Sequence, residues 1–315
     1  MLSAERAKQQ SPGPQGKGEK GSDMNKNFNI FAENVVTEIA QRLPEAQVEL
    51  RTVTKNNGIE LTGLTIRLSD ETVTPNVYLE SFYKESEGVI TDSLIDKIIA
   101  VSESHRVDNM SLDFLKDYDN IKSGLRVRLI NTESNKSLLD NVPHKAFMDL
   151  SMIAYYQFDS NSQFGNASFI IRNQQIKLWD QVPSRVLSDA LNNTYSSRKA
   201  IIRSMFEVLT ETFDFPEDFS DLDNDMMYVA RTSDLFGANV MLYMSDLKCF
   251  ARSIDSDLYV IPSSIHEVIL VPVKKAPTES ALTQMVNEVN GSEVSPEEVL
   301  SDHVYYFSMD SGYRF

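Results

Sequence analysis

The segment from Val48 to Leu68 alternates apolar and polar side chains on both sides of an Asn57-Gly58 pair. Alternation with a period of two places the apolar side chains on one face of a β-strand. An Asn-Gly pair readily adopts the positive φ angles that a type I′ turn requires at both central positions. The segment therefore predicts a β-hairpin, and the fold must contain at least one antiparallel sheet.

The rest of the chain alternates between helical and extended patterns. Apolar residues recur every three or four positions from Phe28 to Leu43, and Pro44 ends that predicted helix. The other patterns predict a strand or helix entry at 77–83, a helix opened by Thr91, strands at 125–131, 150–158 and 167–171, and helices at 184–191 and from Ser197 through Leu209. Together they predict an α+β fold with antiparallel or mixed sheets and packed helices.

The last third of the sequence has the most regular order of elements. Strands are predicted at 226–231, 258–261, 265–271 and 304–307, with one helix after Gly237 and another opened by Thr278. This order, β-α-β-β-α-β, is that of a split βαβ or ferredoxin-like layer. Such a fold supports many unrelated functions, so it identifies none of them.

Composition divides the chain into four segments. Residues 1–23 are rich in Gly, Pro, Gln, Lys and Ser, which predicts a disordered leader. The leader is either an upstream extension before a natural start at Met24 or a genuine disordered tail. The other segments are an N-terminal α+β subdomain with the hairpin at 24–110, a middle α+β segment ending in an acidic linker at 111–225, and a C-terminal βαββαβ subdomain at 226–315.

The net charge limits the classes of partner. The chain carries 30 Lys and Arg against 46 Asp and Glu, a formal charge of −16. A phosphate backbone repels such a chain unless its basic residues are clustered, so direct nucleic-acid binding is disfavoured. An acidic surface favours a protein partner with a basic surface, or imitation of nucleic acid toward a DNA-binding protein. The sequence does not determine the oligomeric state.

Several features favour a cytoplasmic protein without membrane contact. The single Cys249 excludes a disulfide scaffold. The apolar stretch at 265–273 is too short to cross a bilayer and is interrupted by Glu267 and Pro272. The first residues also lack the apolar region of a secretory signal.

Ser264, His266 and Glu267 are the candidate catalytic residues, because a hydroxyl, an imidazole and a carboxylate can act as nucleophile, base and orienting group. Ser264 Oγ would have to lie within hydrogen-bond reach of an imidazole that a carboxylate orients. On a strand that begins at Ile265, His266 and Glu267 would point to opposite faces, and the chain has no Gly-x-Ser-x-Gly motif. The alternative is a β-turn after Pro262 in which the serines cap the backbone.

The acidic run from Glu211 to Asp225 contains seven carboxylates and no Lys or Arg. Asp221, Asp223 and Asp225 alternate as at the start of a calcium-binding loop, which makes them candidate metal ligands. The sixth and twelfth positions of that loop, however, lack the required Gly and Glu. A solvated acidic linker is the alternative.

Three aromatic residues, Phe213, Phe215 and Phe219, are interleaved with these acids. Aromatic side chains are costly to leave in water, so an acidic segment that carries them can serve as a docking segment. These three residues are the candidate partner-binding residues.

Three segments of the sequence resemble one family. They are VELRTVTKNNGIELTGLTIR, DLYVIPSSIHEVILVPV and VNEVNGSEVSPEEVLSDHVYYF, in this order. They resemble the domain of unknown function 5688 over residues 28–308, with Pro262–Val268 as the most specific match. The resemblance implies a protein of gut-dwelling Firmicutes, often encoded near mobile elements. The family has no assigned reaction, so it transfers no catalytic residue to this chain.

The motif content favours binding over catalysis. The chain has no phosphate-binding loop, no dinucleotide glycine motif and no Cys-x-x-Cys, so no cofactor is predicted. The favoured function is a non-catalytic binding or regulatory module of a bacterium or its mobile elements. The alternative is a hydrolase or transferase that uses Ser264, His266 and Glu267. The ligand and the biological process are not predicted.

Overall fold

The computed structural model describes residues 18–69, 74–106, 113–158, 167–197, 199–212, 226–233, 235–262 and 264–314. The chain divides into two compact units. The smaller unit comprises Met1–Val53 and Leu61–Asn109, and the larger unit comprises Thr54–Glu60 and Met110–Phe315. Within the described ranges, no helix combines the length and the apolar character that crossing a bilayer requires.

The smaller unit packs helices against a small sheet. Its elements are α1 (Gly18–Arg42), β1 (Gln47–Thr54), β2 (Glu60–Arg67), β3 (Val77–Tyr78), α2 (Leu79–Glu85) and α3 (Asp92–Ser104). The strands lie in the order β1-β2-β3. Phe31, Val35 and Ile39 recur every four residues along α1 and form a buried cluster with Leu64 of β2 and Ile95 of α3. This apolar stripe is the reason that α1 forms and stays against the sheet.

The turn predicted at Asn57-Gly58 is confirmed. Asn57 has a φ of 60° and Gly58 a φ of 68°. Ile59 N–H donates to Asn56 O at 3.4 Å, which closes the turn around these two residues. Both central residues therefore occupy the left-handed region that favours Asn and Gly.

The larger unit contains two sheets and most of the helices. Its elements are α4 (Tyr118–Ile121), β4 (Leu125–Asn131), α5 (Lys136–Leu139), β5 (His144–Phe147), β6 (Leu150–Gln157), β7 (Ser168–Ile170), α6 (Asn173–Leu178), α7 (Pro183–Ser197), β8 (Ala200–Ser204), α8 (Met205–Thr212), β9 (Tyr228–Thr232), α9 (Met244–Ser253), β10 (Leu258–Ile261), β11 (Val268–Pro272), α10 (Glu279–Ser292), β12 (Tyr305–Ser308) and β13 (Gly312–Tyr313). Helices packed on antiparallel sheets confirm the predicted α+β class.

The first sheet of this unit is antiparallel and centred on β6. Its order is β4-β6-β5, and β7 also pairs with β6. β6 and β7, which correspond to the strands predicted at 150–158 and 167–171, pair antiparallel. Val127 and Leu129 of β4 are fully buried on the face that contributes to the main core, whereas Arg126 and Arg128 lie on the opposite face.

The second sheet has the order β13-β12-β10-β11-β9-β8. The elements from β9 to β12 follow each other as β-α-β-β-α-β, as the sequence predicts. β11 lies between β9 and β10 and is antiparallel to both, so β9 and β10 form a split βαβ pair. The fourth strand, β12, pairs with β10 and not with β9, and the ferredoxin-like detail of the prediction is therefore not confirmed.

Residues 200–204 form strand β8, so the helix predicted from Ser197 through Leu209 is wrong over this stretch. Ile201 pairs with Arg231 and Ile202 with Ala230 of β9. A short apolar run cannot be assigned by its periodicity alone, and two adjacent β-branched residues fit a strand once a neighbouring edge is available. The second sheet consequently extends across residue 225, where the sequence places a boundary.

Helix α10 covers one face of the second sheet. Thr278 Oγ1 accepts a hydrogen bond from Ala281 N at 3.3 Å and caps the helix. Leu282 and Val286 are buried in a cluster with Ile261 of β10 and Val271 of β11. Because Leu282 and Val286 are buried against the sheet, the opposite face of α10 remains in solvent.

Candidate functional site

The segment Ser264–Glu267 forms a turn that leads into β11. Ser264 makes an isolated antiparallel bridge with Val299, and Ile265 N–H donates to Glu298 O at 2.9 Å. Strand β11 begins only at Val268, so His266 and Glu267 are not strand residues. The backbone of this segment is therefore held by residues 298–299.

Ser264 and His266 are close together, but through the backbone. His266 N–H donates to Ser264 Oγ at 3.2 Å. The His266 imidazole points elsewhere, since its Nε2 lies 3.1 Å from Glu298 Oε1. The carboxylate beside the imidazole is thus Glu298 and not the neighbouring Glu267. Both side chains of this pair are partly exposed, at 47% and 41%.

The contacts of Ser264 and His266, two of the three candidate catalytic residues, show what these side chains do in the fold. Nucleophilic catalysis requires a base that accepts the serine proton. Ser264 Oγ instead accepts a backbone N–H, which is the capping role that serines often take in turns. The His266–Glu298 pair joins two loops of the larger unit on its surface.

The other candidates from the sequence lie outside the described residues. They are the possible metal ligands Asp221, Asp223 and Asp225 and the possible partner-binding residues Phe213, Phe215 and Phe219. Both sets stay predictions. In the part of the chain that the structure describes, no three His, Cys, Asp or Glu side chains converge as a metal site would require.

A polar cluster that the sequence did not predict surrounds Asp149, which lies between β5 and β6. Ser301 Oγ donates to Asp149 Oδ2 at 3.0 Å. His303 Nδ1 lies 3.0 Å from the same oxygen. The Tyr305 hydroxyl donates to Asp149 Oδ1 and lies 3.0 Å from Ser301 Oγ. One carboxylate therefore connects to three side chains just before and within β12.

The electrostatics of this cluster favour an ionised Asp149. Burial raises the pKa of the Asp149 carboxyl, but the hydrogen bonds from Tyr305, His303 and Ser301 outweigh burial and lower it below its ordinary value. Burial and the hydrogen bond to Asp149 raise the pKa of Tyr305 well above its ordinary value. The cluster is therefore a carboxylate with neutral hydroxyl donors at neutral pH.

The cluster has the residue types of a catalytic triad but a different arrangement. In a triad the serine contacts the imidazole nitrogen opposite the one that the carboxylate holds. Here Ser301 Oγ and Asp149 lie on the same side of His303, close to Nδ1. Ser301 is fully buried and donates its proton to the carboxylate. The arrangement anchors the chain before β12 to the turn at Asp149.

The exposed side of α10 carries apolar and acidic side chains together. Met285 is 48% and Val289 43% exposed, and residues four apart lie on one helix face. Glu279, Glu288 and Glu293 in and beside the helix are exposed as well. Over residues 276–302 the chain has six carboxylates and no Lys or Arg. We call Met285, Val289, Glu279, Glu288 and Glu293 the α10 surface.

Comparison with known proteins agrees with the resemblance seen in the sequence. No curated protein and no solved structure gives a significant match. A family model does match: DUF5688, a family of unknown function, aligns with residues 28–309, nearly the whole chain. The chain belongs to the DUF5688 family.

Proposed function

We propose that the chain is a non-catalytic binding or regulatory module in the cytoplasm of a bacterium or one of its mobile elements, and that the α10 surface binds a basic, amphipathic protein segment. The observation that carries the proposal is the exposed Met285–Val289 pair within a stretch that has six carboxylates and no Lys or Arg. The apolar pair supplies contact area, and the carboxylates select a cationic partner.

The apolar part of this surface is suited to a protein contact. Leu282 and Val286 already satisfy the packing of α10 on the sheet. Met285 and Val289 are therefore extra apolar side chains on a helix that does not need them for folding. Met is a flexible side chain that adapts to the shape of a partner. Burial of both would stabilise a complex by about 2–4 kcal/mol.

The acidic part of the surface determines which partner is favoured. The carboxylates of this surface repel nucleic acid and acidic proteins. They attract a partner that carries Lys and Arg. The whole chain carries a net charge of −16, so its overall electrostatic field also attracts a cationic partner. Opposite charges raise the rate of association more than the final affinity.

The polar clusters support a binding role over a catalytic one. Ser264 Oγ accepts a backbone N–H, and Ser301 Oγ donates to Asp149. Each serine hydroxyl is thus used in holding a turn. The hydrolase or transferase alternative requires one of them to be activated by a base, and the observed contacts give no support to that step.

The proposal can be tested with a fluorescein-labelled amphipathic peptide of Leu and Lys. Its binding to the full chain is measured by fluorescence anisotropy at about 0.01 M and about 1 M sodium chloride, where the Debye length is about 30 and 3 Å. We expect binding at low salt that weakens strongly at high salt. The double variant Met285→Ser/Val289→Ser should bind at least about tenfold more weakly.

A matched control is available on the same unit. Leu178 and Val182 are also exposed, at 63% and 58%, but lie beside Lys177 and outside the acidic stretch. The variant Leu178→Ser/Val182→Ser should bind the peptide as the wild type does. Equal loss of affinity in both double variants, or affinity that does not change with salt, would contradict the proposal.

A further inference from the structure

Arg128 lies on β4, on the face of its sheet opposite the main core. Its strand neighbour across the sheet is Ile153 of β6. The guanidinium carbon lies 4.7 Å from the centroid of the Phe236 ring. Phe236 in turn meets the ring of Tyr155 edge to face, with centroids 5.0 Å apart. The buried Phe236 ring thus lines one side of the Arg128 guanidinium, and the buried Tyr155 ring packs against Phe236.

The charge of Arg128 has no counter-ion among the residues that the structure describes. Its Nε is completely buried and makes no hydrogen bond. No carboxylate lies within ion-pair distance of it in the described ranges. Burial lowers the pKa of Arg128 to about 10, so the side chain is still cationic at neutral pH. A cation that is largely buried and lacks a partner is costly.

Three arginines on the surface of the larger unit are each paired with a carboxylate. Arg203 Nη2 lies 2.6 Å from Glu211 Oε1. Arg185 is paired with Asp189 at 3.8 Å and Arg252 with Asp310 at 3.7 Å. These pairs are on the surface, where pairing contributes little. Arg128 differs from these three in being far less exposed, at a position where a partner would contribute more.

Contact with an aromatic ring compensates only part of this cost. The attraction between a cation and an aromatic ring is weaker than a buried ion pair with good hydrogen bonds. The ring occupies one face of the planar guanidinium, but the N–H groups point outward in the plane and can still donate. The residue as a whole is partly exposed, which leaves an approach for a small molecule.

We propose that Arg128 is the anchor of an oxyanion-binding site, and that its guanidinium binds a carboxylate or phosphate group of a small ligand while Phe236 holds the guanidinium plane. The two-pronged donor geometry of Arg matches two oxygen atoms of either group. An anion here would complete the missing ion pair. This site is separate from the α10 surface. Arg128 would bind an anion, whereas the α10 surface would bind a cationic segment.

Calorimetric titration of the full chain with inorganic phosphate and with acetate tests the site, at ionic strength held constant with sodium chloride. We expect saturable binding of at least one of the two, and a rise of the thermal unfolding midpoint that follows the bound fraction. Tighter binding of phosphate identifies a phosphorylated ligand, and tighter binding of acetate a carboxylate ligand. Absence of binding by both anions above the chloride background would overturn the proposal.

Variants place the bound anion at Arg128. Arg128→Met keeps an unbranched side chain of similar reach but loses the charge, so it should weaken anion binding at least tenfold. Arg128→Lys keeps the charge but loses the two-pronged donor, so it should also weaken anion binding. Arg231→Met, at an exposed arginine on β9, should bind as the wild type does. Binding by Arg128→Met within threefold of the wild type would overturn the proposal. If Arg128→Met does not fold, the proposal is tested by the wild-type titration and by Arg128→Lys. Binding by Arg128→Lys as tight as that of the wild type would then overturn the proposal.

Discussion

Asn57 and Asn135 hold each other through two hydrogen bonds of 2.9 Å. Asn57 N–H donates to Asn135 Oδ1, and Asn135 Nδ2 donates to Asn57 Oδ1. Asn57 Nδ2 also donates to the carbonyl oxygens of Pro296 and Val299, at 2.9 and 2.7 Å. The turn residue thus has two roles, since it adopts a positive φ and fixes the turn within the larger unit.

Substitution of Asn57 should separate these two roles. Asn57→Gly retains a residue that tolerates positive φ but loses the side-chain hydrogen bonds, so we expect a loss of about 1–2 kcal/mol in the free energy of unfolding. Asn57→Ala loses the same bonds and adds backbone strain, for a further loss of about 1 kcal/mol. Urea unfolding of both variants measures the difference. Equal stability of the Gly and Ala variants would mean that the φ of 60° is unimportant.

Asp149→Asn should make the stability of the larger unit depend less on pH. The folded-state pKa of Asp149 is lowered, so its ionised form contributes stability that is present above the ordinary value of 3.8 and lost as the pH falls through the folded value. At pH 7 we expect the variant to be less stable by about 1–3 kcal/mol, because buried donors lose a charged acceptor. As the pH falls below the ordinary pKa of 3.8, the difference in stability between the wild type and Asp149→Asn should shrink.

Urea unfolding between pH 7 and pH 2.5 measures this gap. Asp140→Asn is a suitable control, since Asp140 is exposed in the same unit and its replacement should leave the stability at pH 7 almost unchanged. A gap for Asp149→Asn that is constant over the whole range would show that ionisation of Asp149 contributes nothing.

Local signals in the sequence predicted much of the fold. The Asn57-Gly58 pair predicted the turn of the hairpin because Asn and Gly adopt positive φ angles more readily than other residues. Strand β4 was predicted with its observed ends, Leu125 and Asn131, since its apolar residues alternate strictly. The helix over 200–204 was wrong, because a run as short as AIIRS has no clear period and its strand form depends on pairing with β9.

The polar clusters could not be predicted, because their members are distant in the sequence. Ser301 is 152 residues from Asp149, and Glu298 is 32 residues from His266. Spacing can place residues on one face of a single element, but not across two elements whose pairing is unknown. Residues two apart on a strand, such as Arg126 and Arg128, share a face, but the contact of Arg128 with Phe236 depends on the loop after β9.

Gly237→Ala should destabilise the segment that carries His266. A Cβ built on Gly237 would lie 2.0 Å from His266 O, a backbone atom that cannot move without shifting the turn at Ser264. We expect a loss of about 1–3 kcal/mol in the free energy of unfolding, as for other overpacked core positions. Thermal or urea unfolding is the measurement.

The matched control is Gly291→Ala in α10. A Cβ at Gly291 meets no atom within 4 Å, and Ala is a better helix former than Gly by about 1 kcal/mol. This variant should therefore be as stable as the wild type or slightly more stable. If Gly237→Ala behaved in the same way, the close approach of Gly237 to His266 O would have no energetic importance.

Ser264→Ala and His266→Ala should have only small effects if these residues serve the turn. The His266–Glu298 pair is partly exposed on both sides, and such pairs contribute about 0–1 kcal/mol. Loss of the exposed hydrogen bond to Ser264 Oγ should cost about 0.5–1 kcal/mol. Both variants should bind the Leu and Lys peptide as the wild type does, because neither residue belongs to the α10 surface. A hydrolase or transferase that uses Ser264 and His266 predicts the opposite, since either variant would abolish turnover in a screen of ester and phosphoester substrates in which the wild type is active.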